Sequence, residues 1–289
     1  IAYLVSAGVD PDRVMAITFT NKAAEEMRRR VERMVGERVF VSTFHSFCAR
    51  LLRREIHHMD RETTFSIYDR SDSQSAVRRV VKDLNLEPKV YSPSDMLSRI
   101  SQLKNDLVDP DEWREEAVGI KDQKLADIYE GYQEVLHENN ALDFDDLLSE
   151  AVRLFRENPA VLRSYQERCE HLLVDEYQDT NLPQHLIARA LQGKHKNITA
   201  VGDPDQMIYS WRGARLENIL EFENDFPDCT IIKLERNYRS TSNILRAASV
   251  CIRNNLRRQD KALWTDREEG QPVQIRELEN SYREGDFVG

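Results

Sequence analysis

The sequence predicts an α/β protein, a parallel sheet interrupted by a helical insertion. Three observations carry that prediction. Strand-like and helix-like runs alternate from Val14 onward, a mostly helical stretch over residues 69–168 breaks the alternation, and the strand–helix order resumes at His171.

Each element has its own signal. "VMAITFT" (Val14 to Thr20) is an apolar, β-branched run that reads as a buried strand, and "NKAAEEMRRRVERMV" after it has helical spacing with a polar start. "VFVSTF" is a second strand, followed by a helix from about His45 to His58. Within the helical stretch, Ser94 and Asp143 mark helix starts. The pattern then gives a strand at "HLLVD", a helix at "LPQHLIARALQG" closed by Gly193, and a strand at "NITAVGD". A helix at "RLENILEFENDF", a strand at "CTIIKLE" and a long helix over Ser242 to Asn255 complete it. No internal repeat or low-complexity tract is present.

Composition bounds the function. At 289 residues the chain exceeds a usual single domain, so two or more lobes are expected. An apolar share of 40% with 32% charged residues suits a soluble, helix-rich protein. No apolar run is long enough to span a bilayer and no signal peptide opens the chain, which predicts a cytoplasmic protein without a membrane partner. The four cysteines, Cys48, Cys169, Cys229 and Cys251, have no C-x-x-C spacing, so neither a zinc site nor a disulfide framework is indicated. The net charge of -10 taken alone argues against nucleic acid. That average conceals two basic segments. Asn21 to Arg54 carries nine Lys or Arg against four Glu, and Lys233 to Lys261 carries eight against two acids. Either segment alone reads as a solvated helix face; the two flanking an acidic middle fit a phosphate-backbone track.

"LLVDEYQDTN" (Leu172 to Asn181) is the run with the most chemistry. An apolar strand delivers Asp175 and Glu176 at its carboxyl end, in the crevice where open α/β sheets bind ligands. Asp175 there would hold Mg²⁺ and Glu176 would position and deprotonate an attacking water. The bland reading of the dipeptide is a strand ending in two solvated acids.

Six runs occur in order: "AITFTNKAA", "STFHSF", "LDFDDLL", "LLVDEYQDTN", "VGDPDQMIYSWRGA" and "LERNYRST". Together they resemble the UvrD/PcrA/Rep family of superfamily 1 DNA helicases over nearly the whole chain. The resemblance implies RecA-like parallel-sheet lobes of the P-loop NTPase type. The first lobe would occupy residues 1–68 and 169–240, a helical insertion subdomain 69–168, and the start of a second RecA-like lobe 241–289. It implies ATP and Mg²⁺ as cofactors and single-stranded DNA and DNA junctions as partners, with repair or replication proteins as further ones. Translocation would run 3′ to 5′. Residue by residue, Gln206 in "GDPDQ" would sense the γ-phosphate and couple it to DNA. Arg239 would contact the γ-phosphate, where a planar guanidinium matches phosphoryl oxygens, and Tyr238 would stack on the adenine. Met207 departs from the serine that many family members have after the glutamine.

Bases can be gripped without reading sequence by stacking on aromatic rings. "IYSWRGA" supplies Tyr209 and Trp211 with Arg212 beside them. Phe19, Asn21, Thr43, Phe44 and His45 are expected at loop positions after strands on the same sheet edge, and the resemblance makes all of these the lining of a single-strand channel. The bland readings are hydrophobic core for Phe19 and Phe44 and a helix cap for His45.

No G-x-x-x-x-G-K-[ST] phosphate loop occurs among the ten glycines, although the family carries one. The chain starts at Ile1 in what reads as a helix and stops at Gly289 in the start of another. It is therefore expected to be a fragment, truncated before and after, and inactive as an ATPase by itself. Two alternatives stand beside the helicase: a helicase–nuclease subunit of the recombination type, and a non-catalytic DNA-binding module.

Overall fold

The computed structural model describes residues 1–193, 195–255 and 261–288. They fall into two compact units, Ile1–Asp225 and Phe226–Gly289, so the expected boundary between 240 and 241 lies inside the second unit.

In the first unit α1 (Ala2–Ser6) precedes β1 (Val14–Thr18), α2 (Asn21–Val35), β2 (Phe40–Thr43) and α3 (Phe44–Glu55). The hydroxyl of Thr20 accepts the Ala23 amide at 3.1 Å to open α2, and Gly36 closes it at a φ of 73°, a left-handed conformation that costs glycine little. The strands are shorter than "VMAITFT" and "VFVSTF" because those caps lie inside both runs. Thr43 ends β2 and caps α3 in one residue, its hydroxyl taking the Ser46 amide at 3.2 Å. The expected helix tail beyond Glu55 is a 3-10 turn, Ile56–Met59.

The insertion then leaves and returns. β3 (Ser66–Ile67) is followed by α4 (Arg70–Asp83), α5 (Pro93–Asn105), α6 (Pro110–Glu116) and α7 (Ile120–Glu138). β4 (Ala141–Leu142) pairs in parallel with β3, which brings the two ends of the excursion together. Val77, Ile100, Ile128 and Tyr132 centre a core of the excursion's own. α8 (Phe144–Glu157) and α9 (Pro159–Arg168), although inside residues 69–168, send Leu148, Leu154, Phe155 and Tyr165 into the main core with Phe47 and Leu52 of α3. The part with an independent core is thus confined to the helices before Asp143.

β5 (His171–Val174), α10 (Leu182–Leu191) and β6 (Ile198–Ala200) complete a four-stranded parallel sheet in the order β2-β1-β5-β6. Ile17 lies opposite Val174, and Val174 opposite Ala200, so the carboxyl ends of three adjacent strands are level. The expected single helix over "RLENILEFENDF" is two short ones, α11 (Glu217–Leu220) and α12 (Phe222–Asp225). The turn between them lets Phe222 pack edge-on to Tyr177, with ring centroids 5.3 Å apart, and lets Asp225 reach His185 at 3.0 Å.

The second unit holds α13 (Ser242–Ile252) and α14 (Ser281–Val288). The expected strand "CTIIKLE" does not form: residues 229–235 are irregular, and Ile232 is 76% exposed. β-branched content makes a run able to pair, but a strand needs a partner along its length, and the pairing here is one bridge between Arg236 and Trp264. Of the expected helix Ser242 to Asn255, the last three residues fall outside α13. No helix among the described residues is long and apolar enough to cross a membrane.

Candidate nucleotide and single-strand site

The loops after β1, β5 and β6 and the start of α3 directly after β2 meet at the carboxyl edge of the sheet. The Asp175 amide, first beyond β5, donates to the Ile17 carbonyl at 2.8 Å, and the Tyr177 amide donates to Val201 at 2.9 Å, so the carboxylate turn is held on both sides. Glu176 between them is left-handed at φ 54°, unusual for a residue with a Cβ, and it is exposed. Strain of about 1–3 kcal/mol at such a position persists where surrounding contacts over-determine it and clusters at working sites. Partial burial, then the adjacent Glu176 charge, pushes the Asp175 carboxyl above its ordinary value. Burial followed by Glu176 does the same to Asp179.

A polar relay leads away from this pair. Nε2 of the buried Gln178 donates to Glu176 Oε2 at 2.8 Å, while Gln178 Oε1 accepts the Asp203 amide at 3.0 Å. Gln206 Nε2 donates to Asp203 Oδ2 at 2.7 Å. Gly202 makes this possible: a Cβ there would stand 2.6 Å from Gln178 Oε1 and 2.7 Å from Ile219. Glu176 and Gln206 are thus joined through two residues the sequence reading did not single out. Gln178 was visible inside the quoted run, but nothing in its type distinguishes a bridging amide from a solvated one.

The loop continues from Gln206 to the aromatic residues. Tyr209 stacks on Phe19 with centroids 4.7 Å apart and planes at 30°, which joins the loop after β6 to the loop after β1. Trp211 is 68% exposed beside Tyr209, and the Arg212 guanidinium lies 4.5 Å from the Trp211 ring centre. The expectation of loop positions for Asn21, Thr43, Phe44 and His45 is corrected, because the caps bring the helices directly onto the strand ends. Asn21 opens α2, Thr43 closes β2, and Phe44 and His45 form the first turn of α3. Asn21 Oδ1 accepts from the hydroxyls of Thr43 and Ser46 at 3.4 and 3.3 Å. Phe44 is 5% exposed and belongs to the main core, so its ring presents no surface to a ligand. The His45 imidazole is held down at about 4, mainly by burial and then by Arg212, and is neutral at physiological pH. Its ring lies 5.7 Å from that of Phe144, a 54% exposed aromatic at the start of α8 that extends the same edge. "LDFDDLL" contained Phe144, but helical spacing alone did not separate an exposed ring from a core one.

The basic segment on α2 is largely internal bookkeeping of charge. Arg28 and Arg29 pair with Glu25, Arg30 with Glu26 and Arg38 with Glu32. Arg50, whose guanidinium reaches Ser42 Oγ at 2.6 Å, is depressed by burial and then by Arg28 and Arg54. Within the second unit, Tyr238 is 73% exposed with the Arg236 guanidinium 4.8 Å from its ring centre, and the Arg239 amide is held by Asn237 Oδ1 at 2.9 Å. The sequence-level sites therefore divide: Asp175, Glu176, Gln206 and the aromatic residues share one sheet edge, and Tyr238 and Arg239 belong to the other unit.

The family described as UvrD/REP helicase N-terminal domain matches residues 1–227, and the UvrD-like helicase C-terminal domain matches residues 232–289. The chain belongs to the UvrD/Rep helicase family, and is of the UvrD/PcrA type within superfamily 1. It is 45% identical over its whole length to the ATP-dependent DNA helicase PcrA of Bacillus subtilis (strain 168). It is 44% identical to the proteins of the same name from Staphylococcus aureus (strain Mu50) and Staphylococcus epidermidis. The chain spans 40% of the length of each of these relatives.

Proposed function

We propose that this chain is the part of an ATP-dependent DNA helicase that contains the water-activating carboxylates and half of the single-strand track, with the phosphate loop lying outside these 289 residues. The observation that carries the reading is the unbroken relay from Glu176 through Gln178, Asp203 and Gln206 into the loop that holds Tyr209 and Trp211. A hydrolytic carboxylate and a base-stacking platform on one connected segment are what a DNA-driven ATPase requires.

The donors fit Mg²⁺, a hard cation that takes oxygen ligands. Asp175 offers a carboxylate whose negative charge is disfavoured by burial and by Glu176, a penalty that a cation relieves. One residue beyond Ile17, the buried Thr18 hydroxyl has no hydrogen-bond partner. Asp175 would hold the ion, which when bound neutralises charge on the phosphate oxygens. Gln178 occupies Oε2 of Glu176 and so leaves Oε1 to orient the water and accept its proton. On the family reading, Gln206 would sense the γ-phosphate, Arg239 would contact phosphate and Tyr238 would stack on the adenine. Phe19, Tyr209, Trp211 and Arg212 grip single-stranded DNA, with Asn21, Thr43, His45 and Phe144 lining the adjoining edge. Movement 3′ to 5′, cytoplasmic location and a role at repair or replication junctions follow from the family reading.

The reading predicts that the purified chain binds a fluorescent oligothymidine, and that affinity falls steeply with added salt as phosphate counterions are released. Anisotropy titrations over a range of salt concentrations test it. No binding at low salt would contradict the DNA assignment.

A further inference from the structure

The last turn of α5, far from the carboxylates in sequence, is fastened to both sides of the proposed site. Asn105 is nearly buried. Its Nδ2 donates to the Ser101 carbonyl at 2.7 Å and to Asp145 Oδ1 at 3.0 Å. Its Oδ1 accepts a short bond from Asn181 Nδ2. Asn181 ends the carboxylate segment: its Oδ1 takes the Gln184 amide at 3.0 Å to open α10. Thr180 just before it accepts the Arg215 amide at 3.0 Å and Asn218 Nδ2 at 2.9 Å. On the other side, Gly213 ends the aromatic loop at φ 79°, and a Cβ there would lie 3.1–3.3 Å from three Asn105 side-chain atoms. Asp106, the residue that caps α5, pairs with Arg215.

We infer that Asn105 is a positioning residue that couples DNA occupancy of the Tyr209–Trp211 loop to the carboxylate segment. The inference rests on the function proposed above. Tyr209 on Phe19 holds one end of the loop, and at the other end Gly213, with no side chain of its own, lies close over the Asn105 side chain. The same amide is fixed in orientation by Ser101 and Asp145, which leaves its oxygen for Asn181 alone. A strand that shifts the loop must therefore move α5 or be resisted by it, and Asn181 shares that displacement. This route is separate from the Gln178–Asp203 relay and runs through the insertion.

The test is ATP turnover by the full-length helicase containing this chain, titrated with single-stranded DNA, with DNA affinity measured alongside by anisotropy. In Asn105→Ala, DNA-free turnover should stay within about two-fold of wild type and DNA affinity within about three-fold, while the DNA-stimulated rate falls about ten-fold. Asp106→Ala removes only the half-exposed partner of Arg215 and will not unfold the protein; it should lower the stimulated rate two- to five-fold in the same pattern. Equal loss of DNA-free and stimulated turnover would mean that Asn105 merely supports the fold, and unaltered stimulation in both variants would mean that it transmits nothing. Either result overturns the inference alone. A wild-type enzyme without DNA stimulation overturns it together with the function on which it rests.

Discussion

At the scale of single residues, environment separates side chains that the sequence could only group. Phe19, Phe44, Tyr209 and Trp211 are all aromatic residues after strands, yet Phe44 is buried in the core and Trp211 stands largely in solvent. Stacking of a base on an exposed ring is worth about 1–3 kcal/mol. Trp211→Ala should therefore weaken oligothymidine binding by roughly five- to 150-fold, with no fall in melting temperature, because little packing is lost. A melting temperature lowered as by a cavity, about 3–5 kcal/mol of stability, would show instead that Trp211 is a core residue. Glu176 illustrates the other limit of sequence reading. Its position after a strand was legible, but its left-handed backbone and the Gln178 bond that assigns one oxygen are tertiary facts.

Among elements, helical runs and one cap explain what was legible. Thr20, Thr43, Asp143 and Asn181 each take a backbone amide at a helix start; Asp143 was legible as such, while α2, α3 and α10 were located by their helical runs. "CTIIKLE" had the composition of a strand and no partner, which no local signal reveals. A buried charge cluster joining the end of α5 to the start of α8 also escaped the sequence. Lys104 Nζ lies 2.7 Å from both Asp143 and Asp146, all three buried, with Tyr132 donating to Asp143 at 2.8 Å. Burial and then the Asp143 charge push the Asp146 carboxyl up to about 7, while Lys104 helps to hold Asp143 down. An unfolded Asp titrates near 4, so between about 4 and 7 the native state binds more protons than the unfolded state. This contribution to stability is present in full below pH 4 and is lost as pH rises through 7. Melting temperature should thus decline between about pH 4 and 7 and level off above, and Asp146→Asn should flatten that decline. An unchanged slope in the variant would place the titration elsewhere.

For the whole molecule, the sheet edge of the first unit gathers the ends of four strands, with the carboxylate turn after β5 next to the loop that follows β6. Four of the six ordered runs hold the end of one of these strands or directly follow it, which made this arrangement legible before any coordinates, whereas "LDFDDLL" opens α8 and "LERNYRST" belongs to the second unit. What the order could not show is how the loops are tied together, by Gly202 against Gln178, by Tyr209 on Phe19, and by Asn105 beneath Gly213. Glu176 is proposed to activate water in an ATPase driven by single-stranded DNA. Glu176→Gln keeps the size of the side chain and removes its basicity, so binding and chemistry separate. The most direct measurement is ATP hydrolysis by the full-length helicase with Mg²⁺ and saturating single strand, wild type against Glu176→Gln, with ATP affinity determined in parallel. In Glu176→Gln, ATP binding should stay within a few-fold of wild type and turnover should fall by about two or more orders of magnitude; near-normal DNA-stimulated turnover would contradict the role of Glu176 as the water-activating base.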